Sequence, residues 1–214
     1  GTVTSATATL TVNVPPTISV QPQNQTVLAP APATFAVTAG GTAPLTYQWK
    51  RNGTDLAGAT SAAYTTPGTA ATDDGATFTV TVSNTAGSLT SAGATLTVHA
   101  AAAITLQPQP QAVLAPASAS FTVLAVGTLP LGYQWKKNGT AIGGATAAAY
   151  STPATSGTDN GAIYSVVVTN AYGTETSANA ALTVNLPPAI TVQPANQAVV
   201  VPAPASFSVT AAGT

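Results

Sequence analysis

The stretch 45-LTYQWKRNGT-54 recurs as 131-LGYQWKKNGT-140, and this motif constrains the fold more than any other part of the chain. In both copies apolar and polar residues alternate up to a tryptophan, Trp49 or Trp135. Such alternation indicates a strand with one buried and one solvated face. An Asn-Gly pair follows, and both of its residues tolerate the positive φ of a two-residue hairpin turn. The motif therefore predicts an antiparallel hairpin that carries a buried tryptophan.

The same step of 86 residues relates the rest of the sequence. It separates Asp73 from Asp159 and Asn84 from Asn170, and no insertion or deletion breaks it. Within each step, short Thr- and Val-rich segments alternate with turn residues, and we find no convincing helical pattern. The chain is therefore expected to be all-β and built from tandem repeats. Repeats that stack in one geometry and recent duplication both account for the constant step.

The step divides the chain into four parts. Residues 16–99 and 102–185 are two complete repeats, whereas residues 1–14 match a last strand and residues 188–214 match a first pair of strands. Neither end piece can bury its apolar face alone. We expect a segment cut from a longer continuous chain, because the ends look like ordinary internal repeats. The alternative is that the end of one copy completes another copy by strand exchange.

Composition excludes several classes of protein. Only 4% of the residues are charged and the net charge is -1, so there is no electrostatic footprint for nucleic acid or an anionic membrane. No apolar run approaches the roughly 18 residues that span a bilayer. The chain has no Cys and a single His, which argues against a zinc site. The regular alternation of apolar residues argues against disorder.

The sequence resembles the immunoglobulin-like domains that are repeated in large bacterial surface proteins. The residues that carry the resemblance are the tryptophan of the third strand, DDGATF or DNGAIY before the sixth strand, SNTAG or TNAYG after it, and a terminal LTV. The resemblance implies tandem seven-stranded immunoglobulin-like β-sandwiches, here disulfide-free. It is specific for the fold and says little about function.

The same resemblance assigns the core. Immunoglobulin sandwiches often carry a disulfide packed on the tryptophan, and here valines stand at those positions. Without a disulfide, the core is expected to be held by packing alone. The expected core residues are Trp49, Trp135, Val37, Val80, Val123 and Val166, with Phe78 and Tyr164 at the corner before the sixth strand.

Nearly all charged residues map to one pole of the predicted sandwich, where the hairpin turn, the corner before the sixth strand and the end of the last strand meet. We expect this pole to lie beside the junction to the next repeat, so that the charges contact and orient that repeat. A role in solubility alone is the alternative. The residues are Lys50, Arg51, Asp55, Asp73, Asp74, Lys136, Lys137 and Asp159.

No catalytic, cofactor-binding or metal-binding residue is predicted. The single histidine, His99, lies in a linker where the other repeats carry asparagine. Asp73 and Asp74 are neighbours, and neighbours on a strand point to opposite faces, which makes a poor acid–base pair. The linkers carry no acidic residue, whereas calcium requires six to eight oxygen ligands. We therefore expect no enzyme.

Two surface features concern glycans. Asn24, Asn52 and Asn138 each begin an Asn-X-Thr sequence, the acceptor for N-linked glycans, although hairpin turns explain the last two. Tyr172 stands in a loop where the first repeat has Ala86, and it is a candidate contact for a sugar or a partner. A chance exposed loop residue is the simpler interpretation.

These observations predict a structural segment of a long extracellular bacterial fibre, filament or stalk at the cell surface. Its expected partners are neighbouring repeats and other copies of itself, because few charges oppose lateral association of exposed Thr-rich edge strands. Two alternatives stay open. The repeats could belong to an adhesin or carbohydrate-binding protein, or they could be spacer domains of a secreted enzyme.

Overall fold

The computed structural model describes residues 1–214, which form two compact units, unit 1 (residues 1–100) and unit 2 (residues 101–214). Both units are all-β. The other regular elements are two single turns of 3-10 helix, Ala71–Asp73 and Gly157–Asp159. None of the helices is long and apolar enough to cross a membrane.

Unit 1 contains ten strand segments. They are β1 (Thr17–Val20), β2 (Gln25–Leu28), β3 (Thr34–Ala36), β4 (Thr38–Gly40), β5 (Thr46–Arg51), β6 (Thr54–Asp55), β7 (Ala63–Thr65), β8 (Thr77–Asn84), β9 (Gly87–Thr90) and β10 (Ala94–His99). Three strands are each interrupted once, so that the pairs β1/β2, β3/β4 and β9/β10 count as one strand apiece. The total is the seven strands that the sequence predicts.

Two sheets form the sandwich of unit 1. One consists of the pairs β1-β4 and β3-β7, which are joined because β3 and β4 are successive segments of one strand, and the other has the order β2-β10-β8-β5-β6 with β9 also paired to β8. The first strand changes sheet, because β1 pairs antiparallel with β4 while β2 pairs parallel with β10. The change falls at Gln21-Pro22, where the proline has no N–H to offer a ladder. The Gln21 side chain accepts the Ala92 N–H and so ties the crossing to the last strand.

Unit 2 repeats this topology. Its strands are β11 (Ala103–Leu106), β12 (Gln111–Leu114), β13 (Ser120–Thr122), β14 (Leu124–Val126), β15 (Gly132–Lys137), β16 (Thr140–Ala141), β17 (Ala149–Ser151), β18 (Ile163–Asn170), β19 (Gly173–Thr176) and β20 (Ala180–Asn185). Two further strands, β21 (Ala189–Val192) and β22 (Thr210–Ala212), form a separate pair. The pairing of β12 with β20 is again parallel.

The core lies between the two sheets of each unit. All eight residues expected there are buried, namely Trp49, Trp135, Val37, Val80, Val123, Val166, Phe78 and Tyr164. Phe35 stacks on Phe78 with 4.4 Å between ring centroids. The Trp49 indole N–H donates to the Ser61 carbonyl at 2.9 Å, so the buried ring leaves no polar atom unpaired.

The hairpin turns have the predicted geometry. Asn52 and Gly53 have φ values of 49° and 83°, and Asn138 and Gly139 have 50° and 81°. These are the positive values that a two-residue turn requires at both central positions. The Asn52 side chain also accepts the Thr77 N–H, which ties the turn to the start of β8.

The two ends of the chain differ from the complete sandwiches. Residues 1–14 contain no strand, and the side chain of Val3 is fully exposed. Residues 188–214 pair β21 with β22 in the register of β1 with β4, but Phe207 stays 64% exposed. A strand needs partners for both its backbone and its apolar face, and the two ends have few of either.

Candidate functional site at the charged pole

The charged residues of unit 1 gather around the β5–β6 turn and the corner before β8. Lys50 Nζ lies 3.2 Å from Asp55 Oδ1, and Arg51 Nη2 lies 2.6 Å from Asp73 Oδ1. The structure therefore gives these predicted inter-repeat residues partners within their own repeat. Their role towards a neighbouring repeat stays a prediction.

Unit 2 keeps the second ion pair. Lys137 Nζ lies 2.7 Å from Asp159 Oδ1, at the positions equivalent to Arg51 and Asp73. Lys136 corresponds to Lys50, but the position of Asp55 is taken by Ala141. The pair at the corner is therefore the feature that both units share.

The corner carboxylates also cap the 3-10 turns. Asp73 accepts the Ala70 N–H at 2.8 Å, and this bond together with Arg51 lowers the pKa of the Asp73 carboxyl. Asp159 accepts the Ser156 N–H at 2.9 Å. Hydrogen bonds from Lys137 and then from Ser156 hold the pKa of Asp159 at about 2, below its usual 3.8. Both carboxylates stay ionised at neutral pH, so neither is suited to general acid–base chemistry there.

We expect unit 2 to lose stability as the pH falls from about 4 towards 2. The folded pKa of Asp159 is depressed, so its contribution is complete above the unfolded pKa of 3.8 and disappears as the folded pKa of about 2 is approached. Partial exposure limits the effect to about 1 kcal/mol. Urea unfolding of unit 2 at pH 7, 4 and 2 measures it. Asp159→Asn should flatten the profile, and an unchanged profile in that variant would contradict the assignment.

The second carboxylate of the corner has a different partner. Asp74 Oδ1 accepts the N–H of Val98 at 2.8 Å, near the end of β10. In unit 2 the equivalent Asn160 Oδ1 accepts the Val184 N–H at 2.9 Å. Because an amide oxygen replaces the carboxylate without loss of the bond, the contact needs an acceptor and not a charge.

Asp74→Ala is expected to destabilise unit 1 by about 1–2 kcal/mol, because the partly buried Val98 N–H loses its acceptor. Asp74→Asn should stay within about 0.5 kcal/mol of the wild type, a change typical of neutral surface substitutions. Chemical denaturation of the two variants provides the comparison. Equal destabilisation by both substitutions would show that the charge of Asp74 is what matters.

A cavity opens beside the corner in both units. In unit 1 it has a volume of about 370 Å³, with Tyr64, Phe78 and Leu96 in its walls and the Arg51–Asp73 pair at its side. The cavity of unit 2 is about 220 Å³, with the equivalent Tyr150 and Tyr164 in its walls and the Lys137–Asp159 pair at its side. Its recurrence shows that it belongs to the architecture and is not an accident of one repeat.

The polar groups of this cavity are largely engaged. The Thr69 hydroxyl donates to the Ala31 carbonyl at 2.7 Å, and the Thr66 hydroxyl accepts the Ala33 N–H at 2.9 Å. Arg51 and Asp73 form an ion pair with each other. What the cavity offers to a ligand is therefore mainly an aromatic wall, without a free nucleophile or a second carboxylate.

The remaining candidates fall outside this site. His99 ends β10, and its carbonyl accepts the Ala29 N–H at 2.8 Å. Tyr172 is 37% exposed in the β18–β19 turn. The side-chain oxygens of Asn24 and Asn138 accept backbone N–H groups at 2.8 Å each. The structure does not bring these residues together.

Sequence reasoning missed a group of residues at the opposite pole of unit 1. Asn84 and Thr42 hydrogen bond to Val14, which precedes the first strand. The signal that could have found them is their recurrence: Thr42 returns as Thr128 and Thr214, and Asn84 returns as Asn170.

The two units share one sandwich topology, and a constant repeat length relates their sequences. Together these features define a class of protein, a tandem array of immunoglobulin-like domains without disulfides. At the level of sequence, no protein-family profile and no curated protein matches the chain.

The solved structures that align with this chain include tandem immunoglobulin domains. Three consecutive immunoglobulin domains of titin align with 85% of this chain and 69% of their own, at 21% identity and a TM-score of 0.54. The four N-terminal domains of Dscam1 align with 83% of this chain and 47% of theirs, at 20% identity and a TM-score of 0.59. Domains 1–4 of Sidekick-1 align with 94% of this chain and 57% of their own, at 22% identity and a TM-score of 0.53. Identities this low establish the fold alone.

Proposed function

We propose that this chain is a structural, non-enzymatic segment of a long extracellular fibre, filament or stalk of a bacterial cell surface. The observation that carries the proposal is strict repetition. The strand pairing Thr17↔Gly40 of unit 1 returns as Ala103↔Val126 in unit 2, at the same offset as every other pairing. A protein that spans distance benefits from one constant unit, whereas an enzyme needs one distinguished site.

Other copies of the same chain are the proposed lateral partners. The sheet formed by β1, β4, β3 and β7 carries no charged residue, and neither does its counterpart in unit 2. Natural edge strands usually carry charge, above all lysine, to prevent association. In unit 2 this sheet also exposes the facing pair Leu106 and Leu124. These features support association of copies through the uncharged sheet.

We also propose that the charged pole helps to align a following repeat. The support is its location, since Asp74 binds the backbone of Val98 close to the end of the last strand. The contribution of each exposed pair is small, about 0–1 kcal/mol. Orientation of a neighbour would therefore come from several weak contacts acting together.

Electron microscopy of the native material tests the main proposal. Labelling with an antibody raised against this chain is expected to decorate fibres or stalks outside the cell. Label confined to the cell interior, or extracellular label on material without any elongated structure, would overturn it.

A second candidate function is glycan binding by the repeated cavity. The observation in its favour is that Tyr64 and Tyr150 present aromatic rings at the same place in both units. Titration of the chain with oligosaccharides, followed by NMR, separates the candidates. Shift changes centred on both tyrosines would favour binding, and their absence at millimolar sugar would remove this alternative.

A further inference from the structure

The pole of unit 1 opposite the charged pole holds the chain segment that enters the repeat. Val14 donates its N–H to Thr42 Oγ1 at 2.8 Å, and Thr42 returns a bond from its own N–H to the Val14 carbonyl at 3.0 Å. Val14 comes before β1, and Thr42 lies in the turn between β4 and β5. The segment is therefore fixed to the sandwich before its first strand begins.

Asn84, the last residue of β8, completes the contact. Its side-chain Nδ2 donates to the Val14 carbonyl at 2.8 Å and to the Thr42 carbonyl at 2.9 Å. Its Oδ1 accepts the Ala86 N–H at 2.9 Å. Both amide hydrogens and the amide oxygen are thus used, which fixes the plane of the side chain. We call this group the entry clasp; it consists of Gly41, Thr42 and Asn84.

Gly41 allows the close approach on which the clasp depends. Its φ is +137°, and a Cβ at this position would lie 3.0 Å from the Pro15 carbonyl oxygen and 3.2 Å from Pro16 Cα. Pro16 itself is buried. A side chain at position 41 would therefore push the entering segment away from the sandwich.

Unit 2 keeps part of this arrangement around Ala101 and Ala102. A Cβ on Gly127 would lie 2.7 Å from the Ala101 carbonyl oxygen. Asn170 Nδ2 donates to the Thr128 carbonyl at 2.9 Å, and its Oδ1 accepts the N–H of Ala102 at 3.2 Å. In unit 1 the position of Ala102 is Pro16, which has no N–H to donate.

A third, partial example lies at residues 186–214. Leu186 donates its N–H to Thr214 Oγ1 at 2.6 Å, and the Thr214 N–H donates to the Leu186 carbonyl at 3.2 Å. Gly213 has φ +153°, and a Cβ there would lie 2.9 Å from Pro188 Cα. The glycine and threonine of the clasp thus form their contacts even where the sequence holds no equivalent of Asn84.

We propose that the entry clasp binds the linker that leaves a preceding repeat, at the first residue after the last strand of that repeat. Residues 1–14 align with the last strand of the repeat, so Val14 stands immediately after such a strand. Because the clasp binds Val14, hydrogen bonds fix the linker to the sandwich from its first residue. Thr42 and Asn84 therefore set the stiffness of the junction. The inference deepens the structural role proposed above, but it concerns bonds that can be measured without any knowledge of the fibre.

The test uses Asn84→Ala and Thr42→Val in the 214-residue chain. NMR measures the amide exchange rates of Val14 and Thr42 and the fast motion of residues 10–14. Thr42→Val is expected to speed the exchange of Val14 by about fivefold or more, because the Val14 N–H loses its acceptor. Asn84→Ala should have an effect of at least this size, because it removes the bonds that hold the Val14 and Thr42 carbonyls. Both variants should increase the motion of residues 10–14. Thr42→Ser, which keeps the hydroxyl, should restore slow exchange. Thr85→Ala, an exposed neighbour of Asn84, is the matched control.

Two further variants separate the clasp from a purely local role. Asn84→Asp keeps the oxygen that accepts the Ala86 N–H but removes both donors to Val14 and Thr42. Gly41→Ala and Gly87→Ala both impose strain at similar φ values, +137° and +152°, but only position 41 faces the linker. Asn84→Asp and Gly41→Ala should release residues 10–14, and Gly87→Ala should not.

Three results would overturn the proposal. The first is a Val14 amide that exchanges as fast as in an unfolded peptide in the wild-type protein. The second is an Asn84→Asp variant in which Val14 exchanges as slowly as in the wild type. The third is equal release by Gly87→Ala and Gly41→Ala. If Asn84→Ala unfolds unit 1, the comparison of Thr42→Val with Thr42→Ser still decides the question.

Discussion

Replacing Trp49 by alanine is expected to destabilise unit 1 by about 3–5 kcal/mol and to leave unit 2 unchanged. The indole is fully buried, packs against Phe35 and Tyr64 with ring centroids 6.4 and 6.3 Å away, and donates to the Ser61 carbonyl. Alanine would leave a large cavity and an unpaired carbonyl in a domain whose total stability is about 5–15 kcal/mol. Differential scanning calorimetry should therefore show two separated transitions.

The second repeat provides the matched experiment. Trp135 is equally buried and donates to the Ala147 carbonyl at 2.9 Å, so Trp135→Ala should move the other transition by a similar amount. Trp49→Phe, which keeps an aromatic ring but loses the indole N–H, should fall between the wild type and Trp49→Ala. A single transition that shifts as a whole in each variant would show that the two units do not unfold separately.

Pulling the chain from its ends is expected to meet its main resistance where β2 pairs with β10. The pairing is parallel and joins Gln25–Leu28 to Leu96–His99. Tension on the two ends of a repeat draws parallel strands past one another, so several hydrogen bonds must break together. Each unfolding event should release roughly 250 Å of chain. This is the extended length of an 86-residue repeat at about 3.5 Å per residue, less the length of the folded repeat.

Val27→Pro is expected to weaken this resistance and to raise the unfolding rate at constant force by about tenfold or more. Ala29 donates its N–H to the His99 carbonyl, so by the two-residue period Val27 also directs its N–H to β10. Thr26→Pro is the control, because the N–H of Thr26 points away from β10 on an edge strand. Single-molecule force spectroscopy measures both variants. Equal effects of the two prolines would place the resistance elsewhere.

Local sequence signals predicted the elements that depend on short-range chemistry. The Asn52-Gly53 turn has the two positive φ values that the dipeptide favours. The alternation around Trp49 places that side chain inside and its neighbours partly outside. These features follow from side-chain periodicity and backbone freedom, which act over a few residues.

The charged pole shows where sequence reasoning becomes incomplete. The sequence placed Arg51 and Asp73 at one pole, but it did not show that they bind each other across 22 positions. Nor did it show that the carboxylate of Asp74 accepts a hydrogen bond from the backbone N–H of Val98, 24 positions away. Pairing of this kind depends on which loops the completed sandwich brings side by side.

By itself the sequence determined the all-β class, the constant step of 86 residues and the tryptophan-centred core, because each follows from the alternation of side chains or from the repetition of the sequence. Only the tertiary structure decided that the first strand changes sheet and that Val14, Thr42 and Asn84 form one clasp. Asn84 lies 42 positions from Thr42 and 70 from Val14. No local pattern encodes such contacts, since they exist only after the two sheets have closed and set the ends of their strands side by side.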